Sequence, residues 1–168
     1  MAHPLTVEPD VDLELLASFR DAMAQVAAPV SVVTTYASGR PYGTTVSAFA
    51  SLSMHPPMLL VSLQETSHLL SLLKVGCAVG VNVLGAGQAV VAGRFASRAE
   101  DKFAGVGWTL TDGVPVLHDT HAWVALRVAR LVPAGDHVLV LGDVRSAVCG
   151  ADTPLTYHQR GFGTHQAH

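Results

Sequence analysis

The apolar positions of the chain change period several times, and each change marks an element. Over residues 12–27, DLELLASFRDAMAQVA, Leu16, Phe19, Met23 and Val26 recur at three- and four-residue spacings. That is the stripe of an amphipathic helix, which Asp10 or Asp12 can cap, and Pro29 closes it. Residues 30–36, VSVVTTY, are rich in β-branched side chains and predict a strand, after which ASGRP turns the chain. Residues 42–57, YGTTVSAFASLSMHPP, alternate apolar and hydroxyl-bearing positions like a strand and end in a double proline. MLLVSL (58–63) predicts a short buried strand. TSHLLSLLKVG predicts a helix that Thr66 or Ser67 starts and Gly76 ends.

CAVGVNVL (77–84) returns to a strand, and residues 88–104 read as helical in pieces, interrupted at Gly93. Two longer strands, 122–132 and 137–148, are joined by PAGD, which has hairpin chemistry. Many strands in hairpin order with few helices predict a mainly β, antiparallel barrel and not a βαβ series. One domain over 12–163 is expected, with a flexible segment at 1–11 and a flexible tail at 164–168.

Composition narrows the function classes. Of 168 residues, 49% are hydrophobic and only 14% charged, too few charges to cover a monomer, so part of the apolar surface is expected between subunits. A net charge of −3 with scattered basic residues argues against nucleic acid as a partner. No apolar run reaches the roughly 18 residues of a membrane helix, and the N-terminus has no basic start or apolar core of a secretory signal. Cys77 and Cys149 read as buried free thiols in a reducing cytoplasm.

Three motifs fail on their spacing. Gly85-Ala86-Gly87 follows a strand, but the third glycine of a dinucleotide turn would fall at Val90, and no acidic residue follows at the ribose distance. His118 and His121, and likewise His165 and His168, are three apart, yet nothing completes either pair into a metal site. No G-x-S-x-G turn offers a hydrolase nucleophile. The small hydroxyl residues of 42–57 suit either close approach of a flat ligand to the backbone or a solvent-facing edge strand. Ser67 suits either a helix cap or an anion site at a helix start.

Six pieces of the chain, in order, resemble the flavin reductase family: GTTVSAFASLSMHPPMLLVSL, VNVL with Gln88 behind it, RFASRAEDKF, GVPVL, AGDHVLVLGDV and PLTYHQRGF. They span roughly residues 15–163. The resemblance implies a six-stranded antiparallel split β-barrel (the FMN-binding split barrel) with flanking helices, assembled as a homodimer. It implies a cytoplasmic NADH- or NADPH-dependent reductase of FMN or FAD that supplies diffusible reduced flavin to a partner monooxygenase.

Carried over by position, Thr44, Thr45, Val46, Ser47, Ala48 and Phe49 match the segment that holds the flavin ring edge and ribityl chain. Ser62, Ser67 and His68 match the region that contacts the flavin phosphate. Asn82, Phe95 and Ala96 match positions lining the flavin, and Arg94 and Lys102 offer charge to phosphate or lie on the surface. His137, in GDH, matches the position linked with the nicotinamide cofactor. Tyr157 and Arg160 match a C-terminal Y-x-x-R pattern near the pocket. Hydride transfer between two stacked rings asks the protein for orientation more than for acid–base groups. Two other readings stay open: a flavin-retaining enzyme with another acceptor, and a non-catalytic flavin-binding protein.

Overall fold

The computed structural model describes residues 12–166, so the expected flexible segment at 1–11 lies outside the described residues. Helix α1 (Leu13–Ala24) starts where Asp12 accepts hydrogen bonds from the backbone N–H groups of Glu14 and Leu15 at 3.0 Å. The strands follow as β1 (Ala28–Pro29), β2 (Ser31–Ala37), β3 (Arg40–Val46), β4 (Phe49–Met54) and β5 (Pro57–Gln64). One-turn helix α2 (His68–Ser71), β6 (Ala78–Val83) and α3 (Ala89–Ala96) come next. The last third holds β7 (Trp108–Thr111), β8 (Val114–Leu117), β9 (Ala122–Ala134), β10 (His137–Cys149), β11 (Leu155–His158) and β12 (Gly161–Thr164).

The main sheet has seven antiparallel strands in the order β3-β2-β6-β9-β10-β5-β4, one more than expected. The extra strand comes from a break. The stretch read as one strand stops at Val46 and resumes at Phe49, leaving β2 as its partner before Ser47-Ala48 and joining β5 after it. Pairing to β5 begins within the break, where the Ser62 N–H donates to the Ala48 carbonyl at 2.8 Å. β3 and β4 are therefore both the edges of the sheet and consecutive in sequence. Three peptide links span at most about 11 Å, so the sheet must curl until its edges nearly meet. The hydrogen-bonded ladder itself stays open between them.

Other boundaries shift for local reasons. The helix expected from Thr66 onward shrinks to one turn at α2, and Leu72 and Leu73 continue only as turn bonds to Leu69 and Leu70. Gly93 sits inside α3 without interrupting it. The helix ends at Ala96, and Asp101 then draws the N–H groups of Phe103 and Ala104 into a local turn, which competes with further helix. Thr164, assigned above to the tail, pairs with Leu155 and closes β12.

Inside the curl, Val33, Val61, Val79, Val81, Leu126 and Val140 form one core. A second packs α3 and the β7–β8 hairpin onto the outside of β2 and β6, with Phe95 and Leu117 at its centre. The hairpin turns at Asp112-Gly113, both at positive φ (52° and 78°), as a two-residue turn requires. Asn82 fastens it. Its buried amide donates to the carbonyls of Val32 and Pro115 and to the Thr34 hydroxyl, while its oxygen accepts from the Leu117 N–H at 2.9 Å. Gly80 leaves room beside it, since a Cβ there would stand 2.6 Å from the Thr34 hydroxyl.

Asn82→Ala strands several buried polar groups at once and is expected to cost about 3 kcal/mol. Thermal unfolding should show a drop in Tm of roughly 10 °C. An unchanged Tm would mean that the hairpin is held by apolar packing alone.

Candidate active site

Alternation along β3 puts Arg40, Tyr42 and Thr44 on one face and Gly43 and Thr45 on the other. The second face looks outward, toward α3: the Thr45 hydroxyl donates to the Ala92 carbonyl at 2.6 Å, and Gly43 lies against Phe95. A Cβ at Gly43 would come within 2.8 Å of the Phe95 ring, so glycine lets β3 and α3 pack closely there. The first face forms the wall of a cavity of about 880 Å3, within the range of small-molecule sites. Ser67, His68 and Leu69 line it from the start of α2, residues 97–104 from the loop after α3, and Trp108 from β7.

The loop is shaped by aromatic packing. Phe103 meets Phe95 edge-on at 4.8 Å and Trp108 at 5.8 Å, so the buried α3 face sets the height of that wall. Lys102 is tied to the end of α3 through its ammonium, which donates to the Phe95 carbonyl at 2.8 Å. Burial pushes its pKa below the ordinary lysine value. An anion arriving in the cavity would restore what desolvation removes, which makes Lys102 a ready partner for phosphate. Ser67 makes no side-chain cap bond, so its hydroxyl can serve a ligand. As a single turn, α2 sums too few peptide dipoles to hold an anion at Ser67 by its dipole alone.

His137 approaches from another direction. It opens β10 opposite Gln64, and the neighbouring Asp136 carbonyl accepts from the Glu65 N–H at 2.9 Å. The β9–β10 turn thus abuts the segment that leads to Ser67. His137 Nδ1 lies 2.7 Å from the Asp136 carboxylate, and this hydrogen bond holds Asp136 below the usual carboxylate range.

Of the residues expected at the site, Thr44, Ser67, His68 and Lys102 line the cavity. Ser47 and Ala48 are exposed at the break between β3 and β4, Phe49 follows it half-buried, and Ser62 faces it across β5. Val46 belongs to the inner core, and Thr45 points away from the cavity. Asn82 and Phe95 are each at most 1% exposed, and neither is among the residues lining this cavity. Their polar or aromatic character serves the hairpin and the loop. Arg94 and Ala96 lie on the exposed side of α3, away from the cavity lining.

Tyr157 and Arg160 sit on the β11–β12 hairpin. There Tyr157 packs on Phe162, and Arg160 pairs with Asp21 of α1 at 2.8 Å. Neither lines the cavity.

Arg40, Tyr42, Arg98 and Trp108 also line the cavity. Tyr42 and Arg40 follow in the same alternation as Thr44, and that signal extends back to the Ser38-Gly39 turn. Asp112-Gly113 between apolar runs marks the β7–β8 hairpin that delivers Trp108.

Residues 23–166 match the model of the flavin reductase like domain. The NADH:riboflavin 5'-phosphate oxidoreductase of Streptomyces pristinaespiralis is 40% identical over 152 residues, covering 88% of this chain and 86% of that protein. The reductase component of 4-nitrophenol 4-monooxygenase/4-nitrocatechol 2-monooxygenase from Rhodococcus opacus is 34% identical over 147 residues, covering 88% and 80%. Among solved structures, nitrilotriacetate monooxygenase component B from Mycobacterium thermoresistibile superposes with a TM-score of 0.88 at 28% identity, covering 93% of this chain and 89% of that one. With a cavity of nucleotide size walled by β3 and the loop after α3, and with this match over most of its length, the chain belongs to the flavin reductase family.

Proposed function

We infer that the cavity along β3 is where this flavin reductase works, with the flavin ring toward the Ser47-Ala48 break and its phosphate toward Ser67 and Lys102. The protein is an oxidoreductase that uses NADH or NADPH to reduce FMN or FAD, and the reduced flavin serves a partner monooxygenase. When bound, the flavin supplies the hydride-accepting ring. The observation that carries the placement is the cavity itself: the unused Ser67 hydroxyl and the partly buried Lys102 ammonium line it from the start of α2 and from the loop after α3, beside the β3 wall that leads on to the small, exposed residues Ser47 and Ala48.

The chain's own part is positional. Ser47 and Ala48 lack bulk and are exposed, so a flat ring can lie against the backbone there. Thr44 offers a hydroxyl along the wall, and Lys102 and Ser67 offer donors to phosphate. His137, held by Asp136 beside the 64–67 segment, is placed to orient the nicotinamide nucleotide. No proton need be moved by these groups, since hydride transfer depends on ring-to-ring distance and angle. The curled sheet, with one strand bent between its two edges, is consistent with the six-stranded split barrel, the bent strand being counted once.

A homodimer accounts for α1. None of its residues is buried, and Leu15, Phe19 and Met23 are 66%, 60% and 49% exposed on a helix held by polar contacts to the β11–β12 turn. A second copy covering this stripe would remove the apolar surface that a chain with 14% charged residues cannot screen.

NADH and NADPH oxidation followed at 340 nm should depend saturably on added FMN or FAD. Lys102→Met is expected to weaken FMN binding about tenfold and leave riboflavin binding unchanged, since only FMN carries the phosphate. Equal losses for both would move the phosphate elsewhere. His137→Ala should raise KM for the nicotinamide nucleotide by about tenfold with flavin affinity intact, and identical kinetics would make His137 a surface residue. Light scattering should give a dimer that Phe19→Glu shifts to monomer. A wild-type monomer at micromolar concentration would refute the assignment of α1.

A further inference from the structure

The row that begins at Thr44 runs on past Tyr42 to Arg40, at the start of β3. Arg40, Tyr42 and Thr44 occupy one face of β3 and all line the cavity, so the wall runs roughly 13 Å from Thr44 to Arg40. Tyr42 packs edge-on against His68 at 5.5 Å, which sets it level with the start of α2, where the phosphate is placed. Arg40 lies one strand period farther, roughly 7 Å along.

Arg40 is also held in an unusual way for an exposed arginine beside a hairpin turn. Its Nε donates to the Tyr42 hydroxyl at 2.5 Å, and its guanidinium carbon lies 4.8 Å from the Tyr42 ring centroid. The bond to Tyr42, with Glu100 and Asp101 nearby, favours the protonated form. Neither acid comes close enough for an ion pair, and Asp101 already accepts two backbone N–H groups. Among the described residues, nothing hydrogen-bonds the two terminal nitrogens of Arg40. The result is a planar fork, fixed at one end and open at the other, the geometry that matches a phosphate with two parallel bonds. Trp108, on the same cavity, adds an aromatic surface on which a base can stack.

We propose that the Arg40 end of the cavity is a subsite for an adenylate group, so that Arg40, held by Tyr42, selects dinucleotides over FMN. This rests on the placement of the flavin phosphate at Ser67 and Lys102. Two molecules carry the required chemistry, FAD and the nicotinamide dinucleotide, and both present a second phosphate followed by adenosine.

The test is titration of FMN, FAD and NADH separately, by flavin or Trp fluorescence, against the full chain and its Arg40→Ala and Tyr42→Phe variants. Arg40→Ala should weaken FAD, NADH or both by about tenfold and leave FMN within about twofold. A loss confined to FAD assigns the subsite to the flavin, and a loss confined to NADH assigns it to the hydride donor. Tyr42→Phe keeps the ring but removes the anchor, and should give a smaller loss for the same ligand. Equal weakening of FMN and the dinucleotides, or no change in any ligand, would overturn the proposal. Arg40→Lys keeps the charge without the fork and should recover little of the loss; full recovery would overturn selection by paired hydrogen bonds. Wild-type protein that binds FMN and riboflavin equally would instead overturn the phosphate placement beneath it.

Discussion

The two residues between Val46 and Phe49 constrain everything else in the molecule. Because β3 and β4 are the opposite edges of a seven-stranded sheet, and only Ser47 and Ala48 join them, the sheet cannot lie open and flat. It has to wrap around Val33, Val61, Val79 and Val81, and the apolar interior follows from that closure. The same junction leaves a short run of small, exposed residues that β2 no longer pairs and that β5 holds only through the Ser62 to Ala48 bond. Closure of the sheet and access to backbone are one structural event, which explains why a stretch so poor in large apolar residues lies at the seam.

Outside the curl, the site is built by layers that support one another. Asn82 pins the β7–β8 hairpin to β2 and β6 through bonds that apolar side chains cannot supply. The hairpin carries Trp108, Trp108 meets Phe103, and Phe103 meets Phe95 on α3. Gly43 lets that helix approach β3 closely enough for Phe95 to fit. Asn82 and Phe95 thus each take part in the packing that fixes the loop from which Lys102 reaches the cavity. A buried, fully bonded amide is well suited to this task because its geometry is specified on every side.

Helix α1 is a different kind of element. Its apolar stripe is regular, its cap is in place, and none of its residues is fully buried. Amphipathic periodicity says that a helix has something to cover; it does not say whether the covered surface belongs to the same chain or to another. The low charge content and the exposed stripe both leave apolar surface that the proposed homodimer would cover.

How far the sequence reaches is clearest from particular segments. Alternation and β-branched content marked β2, β5, β6, β9 and β10 to within a few residues, because strand period and turn chemistry are local. The order of motifs marked the family, and Thr44, Ser67, His68 and Lys102 at the cavity. Local pattern could not show that residues 42–54 break at Ser47-Ala48, since the break exists only because two different partners, β2 and β5, compete for one strand. Nor could it separate Asn82 and Phe95, which are buried under the site, from Arg40 and Tyr42, which face it. Facing and burial depend on which strand lies alongside and which helix packs above. Those are long-range contacts, and the tertiary structure alone decided them.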